Sequence, residues 1–233
     1  MTPVVAIRRW LEAGVADRTA LALVRHGVVD NPRGLRYGRL PGFHLSAKGV
    51  AQARAVASAV QDLRPHARWM VSSPLERAVE TAEPIGAALG VVPSTDDRLI
   101  EAQSALDGRP RRAWMAPQLW PAMWNPLRPS WGESFAQVAA RTLAAMREAE
   151  SNARGGLAVI VSHQSPIWLG QLRARLTDAS GPWGWVRLLP PWLLQPRRCT
   201  TGSVTVLLYE NGHLVRVLPA WRPQVTVRKG RPS

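Results

Sequence analysis

Cysteine is almost missing from this 233-residue chain. Cys199 stands alone, so no intramolecular disulfide can form and no thiolate zinc site can be assembled. Lysine is nearly as scarce: Lys48 and Lys229 are the only two among 30 cationic side chains, the rest being arginine. Acids number 16, which leaves a net charge of +14. The apolar runs are too short to cross a bilayer and are broken by Arg or Pro, so no membrane partner is expected. The first 18 residues carry Arg8, Arg9, Glu12, Asp17 and Arg18 without a following apolar stretch, so no secretory signal is expected and the soluble cytoplasm is the expected address. The serine-hydrolase elbow G-x-S-x-G, the dinucleotide fingerprint G-x-G-x-x-G, the zinc motif His-Glu-x-x-His and the EF-hand loop are all absent.

What remains is globular: 46% of residues are hydrophobic, enough for a sizeable core. Half of the charge excess lies between Arg187 and Ser233. A basic surface that draws in anionic substrates is favoured over a nucleic-acid groove, so a polynucleotide partner is not expected. Seven of the eleven tryptophans cluster around 114–131 and 183–192, within segments rich in proline. They read as lid or core packing around two insertions, near 109–131 and 182–198.

Hydrophobic periodicity places the elements. Residues 1–18 read as a loosely attached N-terminal arm, and 19–233 as a single domain. Thr19 to Val24 reads as a strand before Gly27, and the Gly/Pro-rich stretch 31–44 as a loop. Ser46 offers an N-cap to a helix carrying Val50, Ala53, Ala57 and Val60. "RWMVSS" (68–73) reads as a strand, and Leu75, Ala78, Ala82, Ile85 and Leu89 as the apolar stripe of a helix ended by Gly90. "VVPS" (91–94) has the look of a short strand, and a helix begins near Phe135. "LAVIVSH" (157–163) is the clearest buried strand, and Asn211-Gly212 between two strand-like runs signals a hairpin. Alternating strands and helices predict a three-layer α/β/α fold with a mostly parallel central sheet.

Two strands then end on polar pairs, Arg25-His26 and Ser162-His163, at the sheet edge where ligands of α/β folds bind. Arg77 falls in the first turn of a helix between them. Singly, each has an ordinary explanation: a solvated strand exit, a histidine bonded to a loop carbonyl, an exposed helix cation. Two histidines and two arginines converging on one sheet edge are harder to set aside.

The motifs "LVRHG" (23–27), "HLSAKGVAQA" (44–53), "SSPLERAVETA" (72–82), "LIEAQ" (99–103), "WGESFAQVAAR" (131–141), "VIVSHQSPI" (159–167) and "GSVTVLLYE" (202–210) resemble, in order, those of the histidine phosphatase, or phosphoglycerate-mutase-like, superfamily. The resemblance spans about residues 20–218. It implies a phosphoglycerate-mutase-like fold and a metal-independent, cofactor-free phosphatase acting on a small phosphorylated substrate. His26 would be the nucleophile that becomes phosphohistidine, Arg25, Arg77 and His163 the phosphate pocket, and Glu101 the proton donor. Asn31, Arg36 and Tyr37 are candidate substrate contacts. Val28 departs from the acid many relatives carry, and Gln164 from a common glycine. A phosphoglycerate mutase is the alternative enzyme, and a non-catalytic phosphate- or nucleic-acid-binding module the alternative of another kind. The oligomeric state is not readable.

Overall fold

The computed structural model describes residues 2–13, 17–110, 132–178 and 199–225. Among these residues six strands form one sheet: β1 (Arg18–Arg25), β2 (Ala67–Ser72), β3 (Ser94–Thr95), β4 (Leu157–Ser162), β5 (Val204–Glu210) and β6 (His213–Trp221), in the order β3-β2-β4-β1-β5-β6. β3, β2, β4 and β1 run parallel, β5 runs antiparallel to β1, and β6 antiparallel to β5. The sheet is mostly parallel, as expected. The β5–β6 turn places Asn211 and Gly212 at φ 52° and 76°, left-handed values that these two residue types adopt most readily.

Alternation along the central strands divides two cores. Ala20, Ala22 and Val24 of β1, with Leu157, Val159 and Val161 of β4, face one side. There they meet Val56 and Val60 of α2 (Ala47–Val60) and Ile85 and Leu89 of α3 (Glu76–Leu89), with Ile7 of α1 (Pro3–Glu12). Leu21 and Leu23, with Ala158 and Ile160, face the other side. That layer packs on Leu143, Met146 and Ala149 of α4 (Phe135–Asn152) and Ile167 of α5 (Gln164–Asp178). Strands covered on both faces need no polar alternation, which is why β1 and β4 read as unbroken apolar runs.

The expected caps are present: the Ser46 side chain accepts the Gly49 N–H, and Gly90 closes α3 at φ 72°. The N-terminal arm is a correction. Val4, Ile7 and Leu11 share one face of α1 and dock on the first core, where Ile7 is 1% exposed. The Arg18 guanidinium lies 4.1 Å over the Trp10 ring and ties α1 to the start of β1. Apart from residues 109 and 110, the two Trp/Pro-rich insertions lie outside the described residues.

Candidate active site

β1 and β4 are neighbours, with Arg25 opposite Ser162, so the residues that follow leave the sheet side by side. His26 and His163 are both buried, and their ring centroids are 5.0 Å apart at an angle of 57°. The His26 Nδ1 lies 2.7 Å from its neighbour's carbonyl, that of Gly27. A carbonyl only accepts, so Nδ1 carries the proton and the lone pair is left on Nε2. Burial chiefly, then the charges of Arg77 and Arg25, lower the His26 pKa to about 3. This imidazole is neutral near pH 7.

Gly27 allows the turn that does this. A Cβ there would lie 2.6 Å from the carbonyl oxygen of Gly49, so the loop leaving β1 rests against the backbone of α2. The Gly27 N–H donates to Thr81 Oγ1 at 3.1 Å, and the Val28 N–H to Gln52 Oε1 at 2.9 Å. Gln52, rather than an acid at 28, thus satisfies the backbone beside His26.

Arg77 occupies the first turn of α3, as expected, and is fully buried. Its Nη2 donates to the Gly38 carbonyl at 2.5 Å, while Nε and Nη1 have no partner among the described residues. Arg25 donates Nη1 to the Cys199 carbonyl at 2.6 Å, and its buried Nε also has no partner among the described residues. Burial lowers the Arg77 pKa, but a guanidinium stays charged. The Ser73 hydroxyl contacts His163 Nε2 at 2.8 Å, and His163 Nδ1 is buried without a partner among the described residues. The His163 carbonyl accepts the Ile167 N–H, so this residue opens α5 at the positive end of a 15-residue helix. Burial foremost, with neighbouring His26 and Arg77, holds the His163 pKa well below its usual value.

Glu101 sits in the loop after β3, half-buried, and its Oε1 accepts the Ala102 N–H at 2.8 Å. Tyr37 comes to the site: its ring lies 6.3 Å from that of His26, under the Arg77 guanidinium at 4.8 Å and against Phe43 at 5.2 Å. Asn31 instead uses its amide on both backbone groups of Leu35, at 2.8 and 3.0 Å, and shapes the loop. Arg36 is exposed and joins the 31–40 loop to Gly108 and Arg109 through its backbone. Cys199 is a packed thiol pushed up to about 11, chiefly by burial. His44 pairs with Glu80, and His66 lies 3.4 Å from Glu12; neither joins this cluster. A cavity of about 850 Å³ between α1, α2 and the chain after β6 is lined by none of these site residues.

Ser73, Gln52, Arg39, Glu133 and Arg141 were not singled out from sequence. Ser73, Gln52, Glu133 and Arg141 lie inside the quoted motifs and Arg39 in the basic loop around Tyr37, but each acts on a residue distant along the chain, so the sequence assigned none of them a role.

Unpaired guanidinium and imidazole nitrogens around one neutral imidazole are a receptor for a compact, multiply charged anion. The model of the histidine phosphatase superfamily (branch 1) matches residues 21–218. The chain belongs to the histidine phosphatase superfamily. It is 44% identical over 208 residues to the uncharacterized protein Rv0525 of Mycobacterium tuberculosis, covering 87% of this chain and 96% of that one. Mycobacterial glucosyl-3-phosphoglycerate phosphatase is similar in structure, with a TM-score of 0.60, 27% identity, and coverage of 82% of this chain and 90% of that one. A putative α-ribazole-5′-phosphate phosphatase from Escherichia coli K-12 shares the fold, at a TM-score of 0.66 and 23% identity over 90% of this chain and 99% of that one. Members and neighbours of this kind support a phosphatase-type enzyme.

Proposed function

We propose that the protein hydrolyses a phosphate monoester through a phosphohistidine on His26. The observation that carries this reading is the His26 tautomer: a neutral ring with its lone pair on Nε2, beside two arginines and a histidine with unused donors. Nε2 attacks phosphorus and the P–O bond to the alcohol breaks. Glu101 gives its proton to the leaving oxygen. The Glu101 carboxylate then takes a proton from water, whose oxygen displaces His26 and releases inorganic phosphate. Throughout, Arg25, Arg77 and the Nδ1–H of His163 hold the phosphoryl oxygens, whose charge redistributes during transfer.

Support for hydrolysis over isomerisation comes from the segment after Glu101. Asp107 is its only acid before Glu133, and that carboxylate accepts the Arg39 N–H. The test is turnover of p-nitrophenyl phosphate and of 3-phosphoglycerate with chelator present. Release of inorganic phosphate that disappears in His26→Ala is expected. Conversion to 2-phosphoglycerate with little phosphate release would make it a mutase. Salt-sensitive polynucleotide binding without any turnover would make it a binding module.

A further inference from the structure

The proposed proton donor sits on a loop, yet its backbone is held from three directions. Ser162 Oγ, at the end of β4, donates to the Leu99 carbonyl at 2.6 Å. Arg141 of α4 donates Nη1 to the Arg98 carbonyl at 2.6 Å and Nη2 to the Glu101 carbonyl at 3.3 Å. Arg39, from the loop that carries Tyr37, donates Nε to the same Glu101 carbonyl at 2.7 Å. Two guanidiniums sharing one carbonyl oxygen repel each other unless an anion lies between them. Glu133 is that anion: its Oε2 is 2.6 Å from Arg39 Nη2 and 2.9 Å from Arg141 Nη2, and its Oε1 is 2.7 Å from Arg141 Nε.

We propose that Glu133 is a positioning residue for Glu101, acting through Arg39 and Arg141, whose hydrogen bonds fix the Glu101 backbone. This rests on Glu101 being the proton donor. The local backbone agrees. The Glu133 N–H meets the Gln103 carbonyl at 3.4 Å, and a Cβ on Gly132 would lie 2.6 Å from that same oxygen, so the 132–133 segment lies directly against the donor loop. Glu133 is mostly buried; although burial raises its pKa, the hydrogen bonds and charges of Arg141 and Arg39 bring it below the usual value. Its carboxylate therefore stays ionised between the arginines. Removing that charge leaves both guanidiniums in place but lets them separate, and the donor loop moves with them.

A misplaced acid has a signature that general loosening lacks. A leaving group that departs as a stable anion needs little protonation, and an alkoxide needs it fully. The experiment compares kcat/KM of Glu133→Gln and Glu101→Gln on 2,4-dinitrophenyl phosphate and on an alkyl phosphate, with vanadate affinity as a measure of the pocket. For Glu133→Gln the account expects a loss of about 100-fold on the alkyl ester, at most about threefold on the dinitrophenyl ester, and vanadate affinity within about twofold. Arg141→Lys serves as a second variant, tested in the same way, should Glu133→Gln fail to fold. Equal losses on both esters would assign Glu133 a purely structural role and overturn the inference. If Glu101→Gln itself loses equally on both, the proton-donor assignment fails instead.

Discussion

The hydroxyl of Ser73 lies 2.8 Å from Nε2 of His163, with both residues fully buried. Ser73 Oγ also accepts the Leu75 N–H, so its own proton is free to go to the imidazole. In the proposed mechanism that hydroxyl donates to Nε2, which puts the His163 proton on Nδ1, the nitrogen without a protein partner among the described residues and the one that can donate to a phosphoryl oxygen. The account expects Ser73→Ala to weaken vanadate binding about tenfold, the worth of about 1.4 kcal/mol from one misoriented donor. Isothermal titration checks this. Unchanged affinity would mean that something else fixes the His163 tautomer.

Arg77 separates stability from activity. Its buried guanidinium leaves two nitrogens unpartnered, which costs folding free energy that a bound phosphoryl group would recover. Arg77→Met is expected to keep or raise the thermal midpoint while lowering kcat/KM by about 10³-fold or more. A large fall in the midpoint would show that the bond to Gly38 and the stacking on Tyr37 matter more than the buried charge.

Burial of two neutral imidazoles also fixes how stability depends on pH. Above the ordinary value of 6.5, His26 is neutral in both native and unfolded chains and contributes no pH dependence. As pH falls below 6.5 the unfolded imidazole takes a proton that the native one refuses until about 3, so native stability is lost across that window. The loss is about 1.4 kcal/mol per pH unit for each such histidine, and His163 shifts in the same direction. Urea titrations between pH 6.5 and 5 are expected to show a slope smaller by close to one proton in His26→Asn than in the wild type. Identical slopes would mean that His26 is protonated in the native state.

Much of this site could be read from short stretches of sequence, because strands and helix starts announce themselves locally. β1 ending on Arg25-His26, β4 ending on Ser162-His163 and Arg77 in the first turn of α3 each depend on only a few neighbours. Tyr37 joined them on the strength of its loop composition. The supporting partners could not be read this way. Ser73 meets His163 across 90 positions, and Arg39 meets Glu133 across 94, so only the packed sheet and helices bring them together. Asn31 has a role the sequence did not suggest: its amide bonds to both backbone groups of Leu35 within its own loop. The N-terminal helix was missed because the apolar residues of its short span, interrupted by Arg8 and Arg9, point to no partner until a core is there to receive Ile7.

The account turns on Nε2 of His26 forming a bond to phosphorus. Rapid-quench mass spectrometry during turnover of a phosphate monoester, followed by peptide mapping under alkaline conditions, tests this most directly. An acid-labile phosphoryl group on His26, absent from His26→Asn, is the predicted result. Steady phosphate release with the phosphoryl group on another residue, or undiminished turnover in His26→Asn, would contradict it.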